Sequence, residues 1–413
     1  MIALVLAASF FVRAAHVYDG AAERRDVVLE IDGERIKSVG AAIPKGARVL
    51  DFGPEYTVLP GLIDCHVHLS GRADRYDPIW SFRTSPFHEA FYAVEHARRT
   101  LLAGFTTVRD VGSTAFLAAD LRDTINEGYI PGPRMVASGP GISITGGHGD
   151  LNDYAPGVRV SLWPQEREFR IADGTDQVRQ VVRAQVKHGV DVIKILASGG
   201  VLSRGDQPGA PQFTLEELKA AVEEAHKAGL RIAAHAHGAQ SIKDAVIAGV
   251  DSIEHGSLID DEGIRLMKER GTYLVGDIYN DDYILNEGAK NGMEKEHIEK
   301  ERRIGQLQRD NFAKAVKAGV RVGFGTDAGV YPHGDNARQF FYMVKYGMTP
   351  AAAIHAATGG AATLLDRAQD VGTLAQGKYA DLIAVRGNPL QDVRLLERVP
   401  FVMKGGAVVK DQR

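Results

Sequence analysis

The stretch Val58-Leu-Pro-Gly-Leu-Ile-Asp-Cys-His-Val-His68 is an apolar run that ends in two histidines separated by one residue. Successive side chains of a β-strand point to opposite faces, so we expect His66 and His68 on the same face. If this strand is the first of a parallel barrel, both imidazoles lie at its carboxyl end, where such barrels carry their active sites. Two imidazoles at that place indicate the beginning of a zinc site. Alone, the pair is weak evidence, because a His-x-His in a strand is often only a polar face.

The composition is that of a large globular protein. With 413 residues, 44% of them hydrophobic, the chain can bury a substantial core as one large domain or two to three smaller ones. The net charge of -4 gives no electrostatic argument for a nucleic-acid partner or an anionic membrane. The single cysteine, Cys65, excludes an internal disulfide and is neutral to mildly indicative of the cytosol.

The segment Met1–Val12 is the one terminal stretch that resembles a targeting signal. It has a short apolar core, but no basic residue precedes that core, so a first strand is favoured over a signal-peptide remnant. We therefore predict a cytoplasmic protein, with export to the periplasm as the alternative if residues 1–15 derive from a signal peptide. No apolar run approaches the length needed to span a bilayer.

Both ends of the chain have the alternating pattern of short strands separated by glycine turns. We predict that residues 1–58 and 372–413 together form a small discontinuous β-sandwich. The remaining residues, 59–371, have a different character and are predicted to form a second, larger domain.

In this larger domain, short β-rich runs alternate with helical runs, which predicts a parallel sheet with crossover helices. The strand candidates are Leu62–His66, Thr106–Asp110, Arg134–Ser138, Val190–Leu196, Arg231–His235, Ser252–His255, Tyr273–Asp277 and Val320–Thr326. The helical patterns include Phe87–Ala103, Thr175–Lys187, Thr214–Ala228, Ala239–Ala248, Asp261–Arg270 and Glu296–Ala318, and Thr214-Leu-Glu-Glu has a capping-box signature. Eight strands over about 300 residues fit an α/β fold of the (β/α)8 TIM-barrel type. A doubly wound open sheet would show the same alternation, so periodicity alone leaves both open.

Side chains able to hold a metal or a proton lie in or directly after five of the strand candidates. They are His66 and His68, then Lys194, His235, His255 and Asp327. The carboxyl ends of barrel strands meet at one face, where these side chains would converge. Taken singly, each histidine is more often a core or surface residue, Lys194 could reach water from a strand end, and Asp327 could cap a helix. Together they favour a metal site in a barrel.

These motifs resemble those of the amidohydrolase superfamily, over essentially the whole chain. The resemblance is carried by Pro60–His68, by Lys194, His235 and His255, by Gly325-Thr-Asp327 and by Gly377-Lys-Tyr-Ala-Asp-Leu-Ile. Gly146-Gly-His-Gly-Asp150 and His235-Ala-His237-Gly resemble more narrowly the imidazolonepropionase-related branch. That branch includes Xaa-Pro and Xaa-Arg dipeptidases, N-acyl amino acid hydrolases and ochratoxin-type amidases.

The resemblance implies a binuclear metal site built from six ligands. His66, His68, Lys194 and Asp327 would hold the first ion, and Lys194, His235 and His255 the second. A buried lysine has a lowered pKa, and its neutral amine can react with carbon dioxide to form a carbamate. The N6-carboxylated Lys194 would bridge two divalent metal ions, which we expect to be zinc, with manganese and cobalt as alternatives.

The same resemblance implies roles in catalysis and substrate binding. A hydroxide bridging the two metals would be the nucleophile, and Asp327 would pass its proton to the leaving nitrogen. His148 would support the tetrahedral oxyanion from a glycine-rich loop. His237 would bind the substrate α-carboxylate, with Tyr279 and Arg204 as weaker candidates.

We therefore predict a metal-dependent hydrolase of C–N bonds, a homo-oligomer whose partner is a small-molecule amide or dipeptide. It would cleave the amide bond to a C-terminal amino acid in dipeptides or N-acyl amino acids, ochratoxin-type amides included. The alternatives are an imidazolonepropionase-like ring-opening hydrolase and a metal-dependent deaminase. The deaminase falls behind because position 238 is Gly, where a His-x-x-Glu motif needs Glu. A non-enzymatic scaffold is disfavoured because such scaffolds lose ligands, and this chain has all six.

Overall fold

A computed structural model describes residues 9–76, 83–150, 152 and 166–413. The first eight residues of the predicted targeting-like segment lie outside the described residues, and a strand begins at Phe10. The strands are β1 (Phe10–Tyr18), β2 (Glu23–Asp32), β3 (Arg35–Val39), β4 (Val49–Pro60), β5 (Leu62–Val67), β6 (Phe105–Asp110), β7 (Arg134–Ala137), β8 (Val192–Leu196), β9 (Arg231–Ala236), β10 (Ser252–His255), β11 (Tyr273–Val275), β12 (Leu382–Arg386), β13 (Phe401–Lys404) and β14 (Ala407–Asp411). The α-helices are α1 (Pro86–Leu102), α2 (Leu117–Asn126), α3 (Thr175–Lys187), α4 (Leu215–Lys227), α5 (Ala239–Ala248), α6 (Asp261–Arg270), α7 (Asn280–Glu287), α8 (Lys295–Ala318), α9 (Arg338–Lys345), α10 (Pro350–Ala356) and α11 (Gly359–Leu364).

Strands from both ends of the chain form one seven-stranded sheet. Its order is β14-β13-β12-β4-β1-β2-β3, with β1 and β4 parallel and the other neighbours antiparallel. Buried side chains from distant parts of the sheet, such as Val12, Ile36 and Phe401, share one apolar cluster. Arg35 in the edge strand β3 forms a bridge with Tyr379, just before β12. This contact between an edge and the middle of the sheet shows that the sheet curls.

The central strands are parallel and form two sheets. One sheet has the order β5-β6-β7, and the other has the order β11-β10-β9-β8. Ser138, directly after β7, forms a parallel bridge with Val192 of β8, which links the two sheets. Parallel ladders separated by crossover helices agree with the alternation predicted from sequence.

The predicted eighth strand, Val320–Thr326, is not a regular strand in the structure. Instead, Val322 in the segment and Ala328 just after it form isolated parallel bridges with Leu274 and Val67, so the segment lies between β11 and β5. A Cβ atom added at Gly325 would lie 2.2 Å from Cγ1 of Val275 and 3.0 Å from Cβ of His66. Glycine permits this close approach of the backbone, and a strand with glycine at its centre has a weak ladder.

The helices agree with their sequence patterns. Three of the predicted helices, α3, α5 and α6, begin and end at the predicted residues. The capping box at α4 is present, because the backbone N–H of Glu217 donates to Oγ1 of Thr214 and the backbone N–H of Thr214 donates to Oε2 of Glu217. Among the described residues, no helix has the length and apolar character that a membrane span requires.

Candidate metal centre and active site

A cavity of about 330 Å³ lies where the carboxyl ends of the parallel strands meet. All six predicted metal ligands line it, and so do His148 and His237. The alternation along β5 directs His66 and His68 toward this end, and β8, β9 and β10 supply Lys194, His235 and His255. Five separate chain segments therefore bring potential metal ligands to one place.

The first group of ligand atoms surrounds the carboxylate of Asp327. Its Oδ1 lies 3.4 Å from Nε2 of His66 and 3.3 Å from Nε2 of His68. One ligand atom each from His66, His255 and Asp327 lie within 4.8 Å of one another. Asp327 and His255 have φ angles of 53° and 69°, a conformation that non-glycine residues rarely adopt. Such backbone strain clusters at functional sites, because the surrounding structure must hold it in place.

The second group consists of three imidazoles. His235, His237 and His255 also place one ligand atom each within 4.8 Å of one another, so His255 belongs to both groups. Nδ1 of His237 lies 2.7 Å from Oγ of Ser257. The sequence interpretation gave His237 to the substrate carboxylate, and the structure places its ring next to those of His235 and His255.

Hydrogen bonds behind the imidazoles fix their orientation. Nδ1 of His66 lies 2.8 Å from Oε2 of Glu254, and Nδ1 of His255 lies 2.9 Å from Oδ1 of Asp277. Nδ1 of His68 lies 2.8 Å from the carbonyl oxygen of Gly112. When Nδ1–H donates in this way, the lone pair is at Nε2, which is the arrangement that metal-ligating histidines have.

Lys194 lies at the centre of β8 and is 3% exposed. Burial lowers the pKa of its ammonium group to about 8, against the opposing effect of Glu254 and Asp327. The uncharged amine, which is the form that reacts with carbon dioxide, is therefore far more populated at neutral pH than in an exposed lysine.

Asp327 is an ionised carboxylate in this environment. Burial acts to raise its pKa, but His66 and His68 outweigh burial and hold the pKa well below its ordinary value. The side-chain amide of Asn280 donates to Oδ2 of Asp327 at 3.2 Å. The carboxylate can thus bind a cation and accept a proton.

The remaining sequence candidates separate into two pairs. His148 and His237 line the cavity, and the His148 ring stacks on the ring of His235 with centroids 4.3 Å apart. Tyr279 packs its ring against Tyr331, and its hydroxyl accepts a hydrogen bond from Arg338. Arg204 is 52% exposed, with Nε 3.8 Å from Oε2 of Glu294. The structure does not bring Tyr279 or Arg204 to the cavity.

Several cavity residues were not named individually by the sequence reasoning, although the polar segment 279–309 is a candidate for shaping the leaving-group pocket or for an exposed or oligomer contact. They are Arg170, Asp277, Asn280, Asp281, Glu301 and Gln308. All but Arg170 follow β11, in a stretch whose acidic and amide-rich composition is the only local signal. A buried carboxyl pair, Asp281 with Glu301, belongs to this group, and burial raises the pKa of both. Helices α7 and α8 therefore complete a wall of the cavity.

The residues present fit divalent metal. Among the described residues, Nε2 of His66 is a buried atom without a hydrogen-bond partner, and it is directed toward Asp327. A buried polar atom left without a partner is costly, and a cation would satisfy it. Imidazole and carboxylate donors without a thiolate suit zinc, manganese or cobalt.

Comparisons with known proteins agree with this geometry. Residues 57–409 match the model of the amidohydrolase family, so the chain belongs to that family. The ochratoxinase of Aspergillus niger is 36% identical over 369 residues, which cover 86% of this chain and 75% of the ochratoxinase. Among solved structures, a Xaa-Pro dipeptidase with methionine bound in its active site has a TM-score of 0.90 and 38% identity, covering 98% of this chain and 100% of that chain. A prolidase complexed with N-methylphosphonate-L-proline has a TM-score of 0.89 and 32% identity, covering 98% and 100%.

These findings confirm the resemblance to amidohydrolases of the dipeptidase and ochratoxinase kind. The fold is that of the family, of the TIM-barrel type with mixed α and β content. The chain is an enzyme, a hydrolase that acts on C–N bonds.

Proposed function

We propose that this enzyme is a binuclear metal-dependent amidohydrolase that cleaves the amide bond to a C-terminal amino acid. Its substrates are dipeptides or N-acyl amino acids. The observation that carries the proposal is the pair of ligand groups that share His255, with Asp327 in one group and His235 in the other. Two adjacent groups joined by a common residue suit two adjacent ions.

In this proposal His66, His68 and Asp327 would hold one divalent ion, and His235 and His255 would hold the other. Lys194, carboxylated at Nζ, would serve as their common ligand, because it lines the same cavity and its amine is buried. With zinc bound, the site would have an acidified water as nucleophile and a group that polarises the substrate carbonyl.

Asp327 is the proton carrier in the proposed reaction. Its carboxylate receives the proton of the attacking water and delivers it to the nitrogen that leaves as an amine. Asn280 supports this role, because its amide group holds Oδ2 of Asp327 and also donates to Oδ2 of Asp277 at 2.7 Å. Because this hydrogen bond fixes the orientation of the Asp327 carboxylate, the direction in which its other oxygen can transfer a proton is also fixed.

The size of the cavity supports a small substrate. Its volume of about 330 Å³ is near the lower end of the range of about 300–1,000 Å³ for ligand pockets. The relatives named as a Xaa-Pro dipeptidase, a prolidase and an ochratoxinase are similar over most of their length. Each of those names agrees with an amide linked to an amino acid, which we carry over to this enzyme as its substrate class.

We further propose that the two parallel sheets and residues 320–328 close into an eight-stranded barrel spanning residues 59–371. Three bridges support closure, Ser138 with Val192, Leu274 with Val322 and Val67 with Ala328. In the second predicted domain, residues 1–58 and 372–413, the described residues from 9 onward then form a sandwich. The curl of the terminal sheet and the single apolar cluster that it encloses support this division.

The test is product analysis by mass spectrometry with a pool of dipeptides, N-acyl amino acids and nucleobases. The zinc-loaded protein is compared with His66→Ala, and with His226→Ala, an exposed histidine of α4, as the matched control. We expect free C-terminal amino acids from the wild type and from His226→Ala, and none from His66→Ala. Deaminated bases, or no product from a protein that has bound two metal ions, would overturn the proposal.

A further inference from the structure

A chain of buried polar groups connects helix α8 to His148. Nζ of Lys300 donates to Oδ1 of Asp206 at 2.8 Å, and Oγ of Ser203 donates to the same carboxylate oxygen at 2.6 Å. Oγ of Ser203 lies 2.7 Å from Nδ1 of His148. Sequence reasoning named His148 but none of these three partners, which lie 55 or more residues further along the chain.

Within this series of hydrogen-bonded groups, the positive charge of Lys300 and the negative charge of Asp206 compensate each other. Lys300 is 3% exposed, and its ammonium group also donates to the carbonyl oxygens of Ser203 at 2.6 Å and Gly200 at 3.2 Å. Oδ2 of Asp206 accepts from the backbone N–H of Gly200 at 2.9 Å. Burial acts to raise the pKa of Asp206, but the hydrogen bonds from Lys300 and Ser203 outweigh it, so that the pKa is lowered. Asp206 is therefore an ionised carboxylate, which can only accept hydrogen bonds.

The number of hydrogens then determines the tautomer of His148. A serine hydroxyl has one hydrogen, and in Ser203 that hydrogen is donated to Asp206. The Ser203 oxygen must therefore accept in its contact with His148, so Nδ1 of His148 carries a hydrogen. The Nδ1–H thus anchors one side of the ring on Ser203, and Nε2 is the nitrogen left for another partner.

The position of the ring leaves Nε2 available to a ligand. His148 lines the cavity, and among the described residues its Nε2 has no hydrogen bond. The backbone N–H of His148 donates to Oε1 of Gln212 at 3.0 Å, which fixes the loop as well as the ring. A Cβ atom added at Gly200 would lie 2.1 Å from Cε1 of His148, so the imidazole fits closely against that glycine.

We propose that Lys300, Asp206 and Ser203 are positioning residues that hold the His148 ring by its Nδ1–H and direct its Nε2 toward the substrate. The orientation of the ring therefore depends on three side chains that do not line the cavity. The substrate contact rests on the proposed amide hydrolysis, whereas the hydrogen on Nδ1 does not.

The first test is 15N NMR of the full-length protein labelled at histidine, because the two ring nitrogens have different shifts with and without hydrogen. The His148 signals are assigned by their loss in His148→Asn. We expect a hydrogen on Nδ1 in the wild type and in Ser203→Thr, which keeps the hydroxyl. We expect the hydrogen on Nδ1 to lose its dominance in Ser203→Ala. A wild-type ring without hydrogen on Nδ1, or a Ser203→Ala ring that carries it as in the wild type, would overturn the proposal.

The second test is kinetic, with Ser241→Ala as the matched control. Ser241 is a buried serine of α5 whose hydroxyl has no hydrogen-bond partner among the described residues. We expect kcat/KM to fall about tenfold or more in Ser203→Ala, with metal content unchanged, and to recover in Ser203→Thr. Equal activity in Ser203→Ala and Ser241→Ala would overturn the positioning role. If no amide is hydrolysed by the wild type, the proposed function fails while the NMR result still decides the tautomer.

Discussion

Nδ1 of His66 lies 2.8 Å from Oε2 of Glu254, and both side chains are fully buried although they are 188 residues apart in the chain. The other oxygen of Glu254, Oε1, accepts from Nη2 of Arg109 at 2.7 Å, and burial of this ion pair is complete. Burial acts to raise the pKa of Glu254, but Arg109 and His66 outweigh it and lower the pKa. Glu254 is thus a fixed anion that directs Nε2 of His66 toward Asp327.

Glu254→Gln should weaken metal binding without removing a metal ligand. The neutral amide no longer increases the basicity of the His66 imidazole. Substitution of a residue that hydrogen-bonds to a metal-ligating histidine reduces metal affinity by about 10–100-fold. Competition with a chelator, read by elemental analysis, measures the affinity. Glu223→Gln, an exposed carboxylate paired with Arg179, is the control. Equal affinities in the two variants would show that Glu254 only supports the fold.

Asp327→Asn should nearly abolish turnover while the fold is retained. An asparagine cannot accept and deliver the proton, and the loss of a general acid–base group costs about 10²–10⁴-fold in rate. We would measure kcat with a dipeptide from the product screen, together with the circular dichroism spectrum. Wild-type turnover in this variant would contradict the proton-carrying role of Asp327.

Lys194→Ala should lose the bridging ligand and with it part of the bound metal. We expect fewer than two metal ions per chain by elemental analysis, and we expect reconstitution of the wild-type apoprotein to improve when bicarbonate is added. Lys345→Ala, in the exposed face of α9, is the control. Retention of both ions in Lys194→Ala would contradict the carbamate.

Gly200→Ala should reduce activity without unfolding the protein. The new Cβ would overlap the His148 ring, since it would lie 2.1 Å from Cε1 and 2.2 Å from Nδ1. Gly209→Ala in the same loop is the matched control, because its Cβ would meet Leu258 at an ordinary contact distance of 3.5 Å. We expect a lower kcat/KM only in Gly200→Ala, and similar melting temperatures for both variants.

Lys404→Met should stabilise the protein at neutral pH. Burial lowers the pKa of Lys404 to about 8 from its ordinary 10.5, so between these values the unfolded chain binds the proton more strongly than the folded chain. Stability of the wild type therefore rises with pH through this window, and the destabilisation by Lys404 is complete below pH 8. After subtraction of the hydrogen bond to the carbonyl of Gly132, we expect a gain on the order of 2 kcal/mol at pH 7.

Denaturant unfolding at several pH values measures this gain. The difference between Lys404→Met and the wild type should shrink as the pH approaches 10.5 and should be absent in Lys290→Met, a control at an exposed lysine. A difference that does not change with pH would show that packing, rather than the charge of Lys404, limits stability.

Local pattern determined the regular elements. The periodicity of 3.6 residues predicted α3, α5 and α6 at their observed bounds, and the hydroxyl and carboxyl groups of Thr214 and Glu217 predicted the start of α4. These features depend on neighbours within four residues, which a sequence displays directly. The segment Val320–Thr326 was wrongly predicted as a regular strand, because its close packing on Val275 and His66 involves residues far away in the chain.

The sequence by itself determined which side chains end the strands, and hence the six metal-ligand candidates and the family. Only the tertiary structure decided what surrounds them. It placed Glu254 behind His66, brought His237 to the imidazoles, and linked His148 through Ser203 and Asp206 to Lys300. It also left Arg204 and Tyr279 outside the cavity. The physical reason is that strand position follows from local periodicity, whereas hydrogen-bond partners and tautomers depend on contacts between residues distant in sequence.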